Sequence, residues 1–564
     1  MSGTGEALPE ILGDYAADLR AGRIGTRDAA VDVEAARPGG AGTGWAGGVE
    51  PAWAASGAMA LTGHAGAAPL GLTVPFVARL DAALAVVQTL AADRGHPFAS
   101  SAGTPPHPPT GAGQLLGERA AALGLTRGGV YSAGRAARLV RAADGWLAVN
   151  LARVDDVDLL PAWLERDDLA ATDADLADDA RPPAERGPHD EQNRDRAQNR
   201  DSTLGPDGEP PARARPWEAL AAAVAVRTGT ELAARADLLG LPVALLVDPA
   251  TAATDAQATA RGRRFPFAPF LVDGLAPDVP AGAAARPAGA AAGRRSGGPA
   301  TPGRDLLGGD RRAPEDGGFT VVDLSSLWAG PLCAHLLGLA GGRVVKVEGV
   351  GRLDGARRGP AAFYDLLHAG HASVTVDLRT ADGRAALVRL IERADVVLEA
   401  SRPRALEQLG IEPAVMIARN PALTWVSITG YGRTGPWRQR PAFGDDAAVA
   451  AGAVAVDAAG RPVFLADAVA DPVTGVLAAA AALGCLAAGG GRHVDIALRE
   501  ATGSLLAGRP VLPDHDPTLA GRGDDGHALA VAPPRVRAPA GAAAPAGHDN
   551  ARLLPAPAGG EDEC

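Results

Sequence analysis

Cysteine is scarce in this sequence. Only Cys333, Cys485 and Cys564 occur in 564 residues. They are far apart and odd in number, so they predict neither a disulfide framework nor a thiolate metal site, and they suit a reducing, cytoplasmic setting. Aromatics are also few, at 4%. Hydrophobic residues reach 47%, but much of that is alanine, which buries little area per residue. No run of 18 or more strongly apolar residues stands out, so no membrane span is expected. The N-terminal stretch has no basic segment followed by an apolar one, so no secretory signal is expected either. A basic surplus is missing as well. The net charge is −12, which argues against a general nucleic-acid binder, because phosphate contacts need a basic face.

What is present is patterned sequence between linker-like stretches. Residues 166–215 and 277–317, and the tail from about 511 to 564, are rich in charge, proline, glycine or alanine and poor in large apolar side chains. Such segments cannot offset their ordering entropy by burial. Residues 96–115 form a shorter insert of the same kind. Beyond residue 317 the pattern changes. "FTVVDL" (319–324), "RVVKVE" (343–348), "ASVTVDL" (372–378), "DVVLEA" (395–400) and "LTWVSIT" (423–429) read as strands. "PLCAHLLGLAG" (331–341) and "TADGRAALVRLIERA" (380–394) read as helices, the second with Thr380 as N-cap. "GRHVDIAL" (491–498) closes a second α/β-like piece. Strands alternating with helices predict a parallel α/β sheet. A faint repeat links "WAASGAMALTG" (53–63) and the helix "LDAALAVVQTLAA" (80–92) to "AVAAGAVAVDAAG" (448–460) and "TGVLAAAAALGCLAA" (474–488).

"ITGYGRTGPW" (428–437) has the glycine spacing G-x-G-x-x-G at Gly430, Gly432 and Gly435. A dinucleotide fingerprint needs those glycines between a strand and a helix N-terminus. The strand is there. Pro441 follows Pro436 too soon for a helix to run on, and no strand ending in an acidic ribose ligand follows at the usual distance. The glycines therefore read as tight turns.

Six blocks together resemble the class III CoA-transferases, the family of formyl-CoA transferase, carnitine CoA-transferase and α-methylacyl-CoA racemase. They are "VVDLSSLWAGPLCAHLLGLAGGRVVKVE" (321–348), "DGARRGPAAFYDLLHAGHASVTVDLRTADGRAAL" (354–387), "ADVVLEASRPRALEQLGI" (394–411), "NPALTWVSITGYGRTGP" (420–436), "ADAVADPVTGVLAAAAAL" (466–483) and "GGGRHVDIALREA" (489–501). They stand in the family's order. "RLVRAADGWLAVNLARVDDVDLLPAWLE" (138–165) and "ELAARADLLGLPVALLVDP" (231–249) resemble the family's smaller domain, and "GHDNARLL" (547–554) its closing segment. The chain thus resembles a rearranged or tandem form, divided as a degenerate large-domain-like repeat (45–130), a small-domain-like segment (131–250), a linker (277–317), a large domain (318–510) and a tail (511–564). The resemblance implies an α/β fold: a Rossmann-like parallel-sheet large domain and a smaller α+β domain. The family's glycine-rich loop near the acyl group has no clear counterpart.

The resemblance also implies a chemistry. A side-chain carboxylate attacks the donor thioester, passes through a mixed anhydride and carries CoA as an enzyme thioester. The matching residue is Asp471 in "VADPVTG"; read alone, Asp471 could be only a helix N-cap. The matching position in the first repeat falls near Pro75, so one site per chain is expected. Ser326, Leu327, Trp328 and Ala329 match the turn whose amides meet CoA, and Arg357 matches a basic residue that faces its phosphates. Ala400 and Ser401 replace the family's Asn-Phe, with Arg402 and Arg404 as alternative phosphate contacts. No tightly bound cofactor is implied, coenzyme A arriving as part of the acyl-CoA substrate and a carboxylic acid as its partner. Family members are interlocked homodimers; a tandem chain could fill both roles internally. The racemase branch uses a His–Asp pair, and no histidine occurs from Trp425 to Pro472. Asp445 or Asp446 could serve there, or be a turn or cap. His335, His368, His371 and His493 read as structural, with no metal spacing among them.

Overall fold

The computed structural model describes residues 49–98, 108–166, 169, 216–247, 249–262, 270–274, 318–506 and 527–554. The linker at 277–317 and nearly all of 166–215 lie outside the described residues.

The first half holds three features that matter for the site. Helix α1 (Phe76–Asp93) and the short helix α2 (Glu118–Leu123) lie in the repeat segment. Strands β1 (Ala137–Arg141), β2 (Trp146–Asn150) and β3 (Val243–Leu246) form an antiparallel sheet in that order. Helix α3 (Ala256–Ala260) and strand β4 (Phe270–Gly274) then lead toward the second half.

The second half builds the large sheet from β5 (Phe319–Leu324), β6 (Gly342–Gly349), β7 (Ala372–Val376), β8 (Val396–Glu399), β9 (Thr424–Thr429) and β12 (Arg492–Ala497). These six are parallel, and the order across the sheet is β4-β12-β9-β8-β5-β6-β7, with β4 antiparallel at one edge. The strands are nearly all buried on both faces, which explains their continuous Val/Ile/Leu runs. Helices α4 (Ala329–Leu339), α5 (Ala381–Arg393) and α6 (Pro403–Glu407) connect them. Thr380 caps α5, its Oγ1 accepting from Gly383 N at 3.0 Å. Helix α7 (Gly444–Ala450), the hairpin β10 (Val454–Val456) and β11 (Pro462–Phe464), helix α8 (Ala470–Ala487) and helix α9 (Leu498–Leu505) complete this half.

The strand order makes β5 and β8 neighbours at the point where the connections reverse direction. In a doubly wound sheet, that point leaves a crevice beyond the carboxyl ends of the two strands. The turn 325–328 follows β5, and residues 400–402 follow β8.

Helices α1 and α8 pack against each other, and each is preceded by a glycine in the left-handed region, Gly57 at φ +86° and Gly452 at φ +81°. Trp53, Phe76 and Leu80 share one core with Leu332, Val473 and Val476, so the repeat segment is part of the large unit's interior. Among the described residues of 49–123 there is no strand. Helix α8 is long and apolar enough to cross a membrane by length and composition, which corrects the expectation that no such run exists. The alanines hid it. In the fold it is a core helix, buried almost throughout.

The glycine loop 428–437 is clasped by α3 and the residue after it. Gln257 Nε2 donates to Tyr431 O (2.6 Å) and Thr434 O (2.8 Å), and Gln257 Oε1 accepts from Trp437 N (2.9 Å). Gly432 and Gly435 have φ +97° and +83°. A Cβ on Gly432 would stand 2.0 Å from Arg261 Nη1. The glycines thus admit protein side chains. Arg261 in turn pairs with Asp495 (2.5 Å) and Glu500 (2.5 Å), all three buried. Residues 527–554, within the stretch read as a tail, also pack on the body. Arg537 Nε meets Glu118 Oε1 at 2.5 Å, both buried, and Asn550 Oδ1 accepts from Thr375 N of β7 at 2.8 Å.

Replacing Arg261 by Met would leave two buried carboxylates without their counter-charge. We expect a loss of about 3–5 kcal/mol, read as a large drop in thermal unfolding temperature. A drop no larger than that of an exposed Arg→Met control would show that the triad contributes little.

Candidate functional site

Asp471 occupies the first turn of α8, whose N-cap is Val469, so it does not cap the helix. Pro472 follows it, a residue suited to a helix start because its missing N–H would be unpartnered there. The residue is half-buried while its neighbours in the helix are buried. Its Oδ2 lies where a Cβ on Gly444 would come within 2.5 Å. One turn further on, Gly475 allows close packing with α4. A Cβ there would meet Ala329 O at 2.8 Å. This contact sets the Asp471 end of α8 beside the turn that follows β5.

Three more carboxyls surround Asp471. Asp445 Oδ1 accepts from Ala468 N at 3.0 Å. Asp446 Oδ1 accepts from Phe443 N (3.0 Å) and from Asn150 Nδ2 (2.8 Å), so Asp446 caps α7 and ties it to β2. Asp467 Oδ1 accepts from Arg119 Nη1 at 2.6 Å. Asp446 Oδ2 and Asp467 Oδ2 are buried without a hydrogen-bond partner. The loop carrying Asp467 is strained: Ala466 and Ala468 have φ +48° and +42°, conformations that cost a non-glycine residue about 1–3 kcal/mol each.

The charges fix how these groups titrate. Burial pushes the Asp471 carboxyl up to about 8, and Asp445 adds to the rise, while Arg119 pulls the other way. Burial likewise raises Asp445 to about 7, helped by the Asp467 charge and opposed by Arg119, the Ala468 amide and the Ser132 hydroxyl. Asp446 is raised to about 7 by burial, against hydrogen bonds from Phe443 N and Asn150. The cluster can therefore hold and pass protons near neutral pH.

The other sequence-predicted residues gather at the carboxyl end of the sheet. Leu327 stands in the left-handed region (φ +71°) with an exposed side chain, and its amide donates to Asp354 Oδ1 at 3.0 Å. That amide is already used by the protein. Beneath the turn, buried Lys346 lies 3.1 Å from Asp354 and 3.5 Å from Asp323 and donates to Ser325 O. Ser326 is exposed; Trp328 and Ala329 are buried. Arg357 is bound by Glu348 (2.6 Å from Nη2) and stacks on Tyr364, so its charge is largely used within the protein. Arg402 precedes α6, which holds Arg404, and neither guanidinium has an acidic partner within ion-pair distance among the described residues. Burial, then the charges of Arg404, Arg153 and Arg352, hold Arg402 below the usual arginine value. That is a cationic corner beside the crevice. Ser401 Oγ donates to Glu399 Oε2 at 3.0 Å. A cleft of about 500 Å³ opens elsewhere, against Ser56, Asp81, Gln114 and Arg535, and none of the four site carboxyls lines it. Among the described residues no group of His, Cys, Asp or Glu has a metal-binding arrangement.

Sequence reading missed Asp467, Arg119, Ser132 and Asn150. Asp467 stands four residues before Asp471 but in the loop ahead of α8, so no helical spacing marks it. The other three lie in the first half, Arg119 and Ser132 outside any quoted block and Asn150 within the small-domain-like one. Only the fold brings them to α7 and α8.

Residues 317–533 match the model of CoA-transferase family III. The chain is 33% identical over 199 residues to a succinyl-CoA–D-citramalate CoA-transferase of Chloroflexus aurantiacus, covering 33% of this chain and 50% of that protein. It is 31% identical over 215 residues to a succinate–glutarate CoA-transferase of Agrobacterium fabrum, covering 35% and 54%. It is 37% identical over 120 residues to human α-methylacyl-CoA racemase, covering 21% and 29%. Among solved structures, a hypothetical protein of Mycobacterium tuberculosis aligns at 34% identity with a TM-score of 0.32, covering 34% of this chain and 56% of that one. The chain spans about half the length of the curated CoA-transferases it matches.

The raised Asp471 predicts a stability effect. The folded state holds a proton that the unfolded chain gives up near the ordinary carboxyl value. That contribution is fully present below about pH 3.8 and lost as pH rises through about 8. Asp471→Asn should therefore raise the unfolding temperature, and by more at pH 8 than at pH 5. A difference that shrinks toward pH 8 would contradict the assignment.

Proposed function

We propose that this protein transfers CoA from an acyl-CoA to a carboxylic acid, with Asp471 as the nucleophile. The observation that carries the proposal is the half-buried Asp471 at the first turn of a buried helix, one turn from the contact with the first residue of α4, which follows the turn after β5. The match of residues 317–533 to family III supports it.

In this reading Asp471 first loses its proton to the neighbouring carboxyl set. Its carboxylate attacks the thioester carbonyl, a C–O bond forms, the C–S bond breaks, and CoA leaves as thiolate with a mixed anhydride behind it. The thiolate attacks the Asp471 carbonyl and releases the donor acid, leaving an Asp471–CoA thioester. An acceptor carboxylate attacks that thioester, and the returning thiolate takes the acceptor acyl group and restores Asp471. The helix N-terminus of α8 stabilises the ionised carboxylate. The turn Ser326–Ala329 contacts the CoA chain through the exposed Ser326 and Leu327, and Arg402 and Arg404 meet its phosphates. Arg357, held by Glu348, positions the loop after β6.

A second reading rests on Asp445 and Asp446. Carboxyls raised to about 7 beside Asp471 suit exchange of an α-proton on an acyl-CoA. Deuterium wash-in at the α-carbon without acyl exchange would favour it.

The test is incubation with a panel of acyl-CoAs and free acids, followed by peptide mass spectrometry. A CoA thioester on the peptide containing Asp471 is expected. Asp471→Ala should lose the adduct and lower exchange by roughly 10⁴-fold or more. Exchange that survives the substitution would remove Asp471 from the mechanism.

A further inference from the structure

The repeat in the first half lacks an acid at the position matching Asp471, which suggested a purely structural copy. Its contacts show more. Helix α2 of that copy carries Glu118 and Arg119 side by side, and they reach in different directions. Glu118 takes the buried guanidinium of Arg537. Arg119 enters the carboxylate cluster. Its Nη1 is 2.6 Å from Asp467 Oδ1, its side chain keeps 28% exposure, and its guanidinium lies 5.9 Å over the Trp328 ring. It thus sits between the loop that carries Asp467 and the turn that follows β5.

We infer that the first half supplies a working part of the site: Arg119 is the positioning residue that sets the charge on Asp471. The inference rests on Asp471 being the reactive group, as proposed above. The charges of Asp445 and Asp446 on α7, of Asp467 in the loop ahead of α8 and of Arg119 on α2 all act on Asp471. Arg119 is the cation in that set. It acts on Asp467 by direct contact and on Asp445 and Asp471 through space. Without it, four carboxyls face one another with only Ser132, Asn150 and backbone amides to compensate. Like charges that close cannot all ionise near neutral pH, so Asp471 would keep its proton to higher pH.

The experiment reads the Asp471 proton directly and needs no turnover. A water-soluble carbodiimide reacts with the protonated carboxyl, so labelling of the Asp471 peptide, followed by mass spectrometry from pH 5 to 10, falls as the group ionises. In Arg119→Gln the midpoint should move to higher pH than in the parent chain, and in Arg119→Lys it should stay near the parent's. Thermal unfolding confirms that each variant is folded; if the Gln variant is not, the Lys variant is compared with Arg119→Met. The same midpoint in parent, Gln or Met, and Lys chains would overturn the inference, as would a shift equally large in Lys. If exchange is active, its rising pH limb should move with the labelling midpoint. A labelling shift in a chain with no CoA exchange on any donor would leave the role of Arg119 standing and sink the proposed activity instead.

Discussion

Four carboxyl groups converge at the first turn of α8, and the guanidinium of Arg119 comes from the other half of the chain to meet them. Much of the architecture serves to keep that arrangement folded. The α1–α8 packing buries the helix that carries Asp471. Asn150 of β2 holds Asp446 and Arg119 of α2 holds Asp467, while the Ser132 hydroxyl ahead of β1 eases the charge on Asp445. Every one of these supports is a first-half residue acting on a second-half carboxyl. The strained backbone at Ala466 and Ala468 belongs to the same balance: strain of that kind persists only where surrounding contacts over-determine it.

The large sheet was legible in the sequence. Its strands are buried on both faces, so each reads as a short apolar run, and each helix between them carries its own boundary signals, such as Thr380 at α5. "FTVVDL" and "LTWVSIT" coincide with β5 and β9 almost residue for residue. Helix α8 was harder. Its core face is alanine, whose low burial area makes a long apolar helix look unremarkable, and only its enclosure by α1, α4 and α9 shows what it is. The site was legible by half. Asp471 and the turn after β5 lie in blocks that carry a family pattern. Arg119 lies hundreds of residues upstream in a stretch without one, and Asn150 lies in a block that resembles the smaller domain, with nothing in it to point at Asp446, because a long-range contact leaves no local spacing.

The glycine loop is a case where spacing and physics part. Gly430, Gly432 and Gly435 have the intervals of a nucleotide cradle. What fills the space against Gly432 and Gly435 is Arg261 and Gln257, while Ala442 stands against Gly430. Arg261 then carries the contact on to Asp495 at the end of β12 and Glu500 in α9. The absence of a side chain serves an internal clasp between the halves.

Both edges of the six-stranded parallel part of the large sheet are covered by segments remote from them in sequence. At one edge Gly274 of β4 pairs with Arg492 of β12. At the other, Ser373 and Thr375 of β7 donate their amides to Asp549 and Asn550. An open edge is a template for another chain, and contacts between distant residues form late because loop closure must come first. The sheet of this protein is therefore most prone to stick to its neighbours while it is folding, after its six parallel strands have paired and before residues 270–274 and 549–550 have come back to cover them.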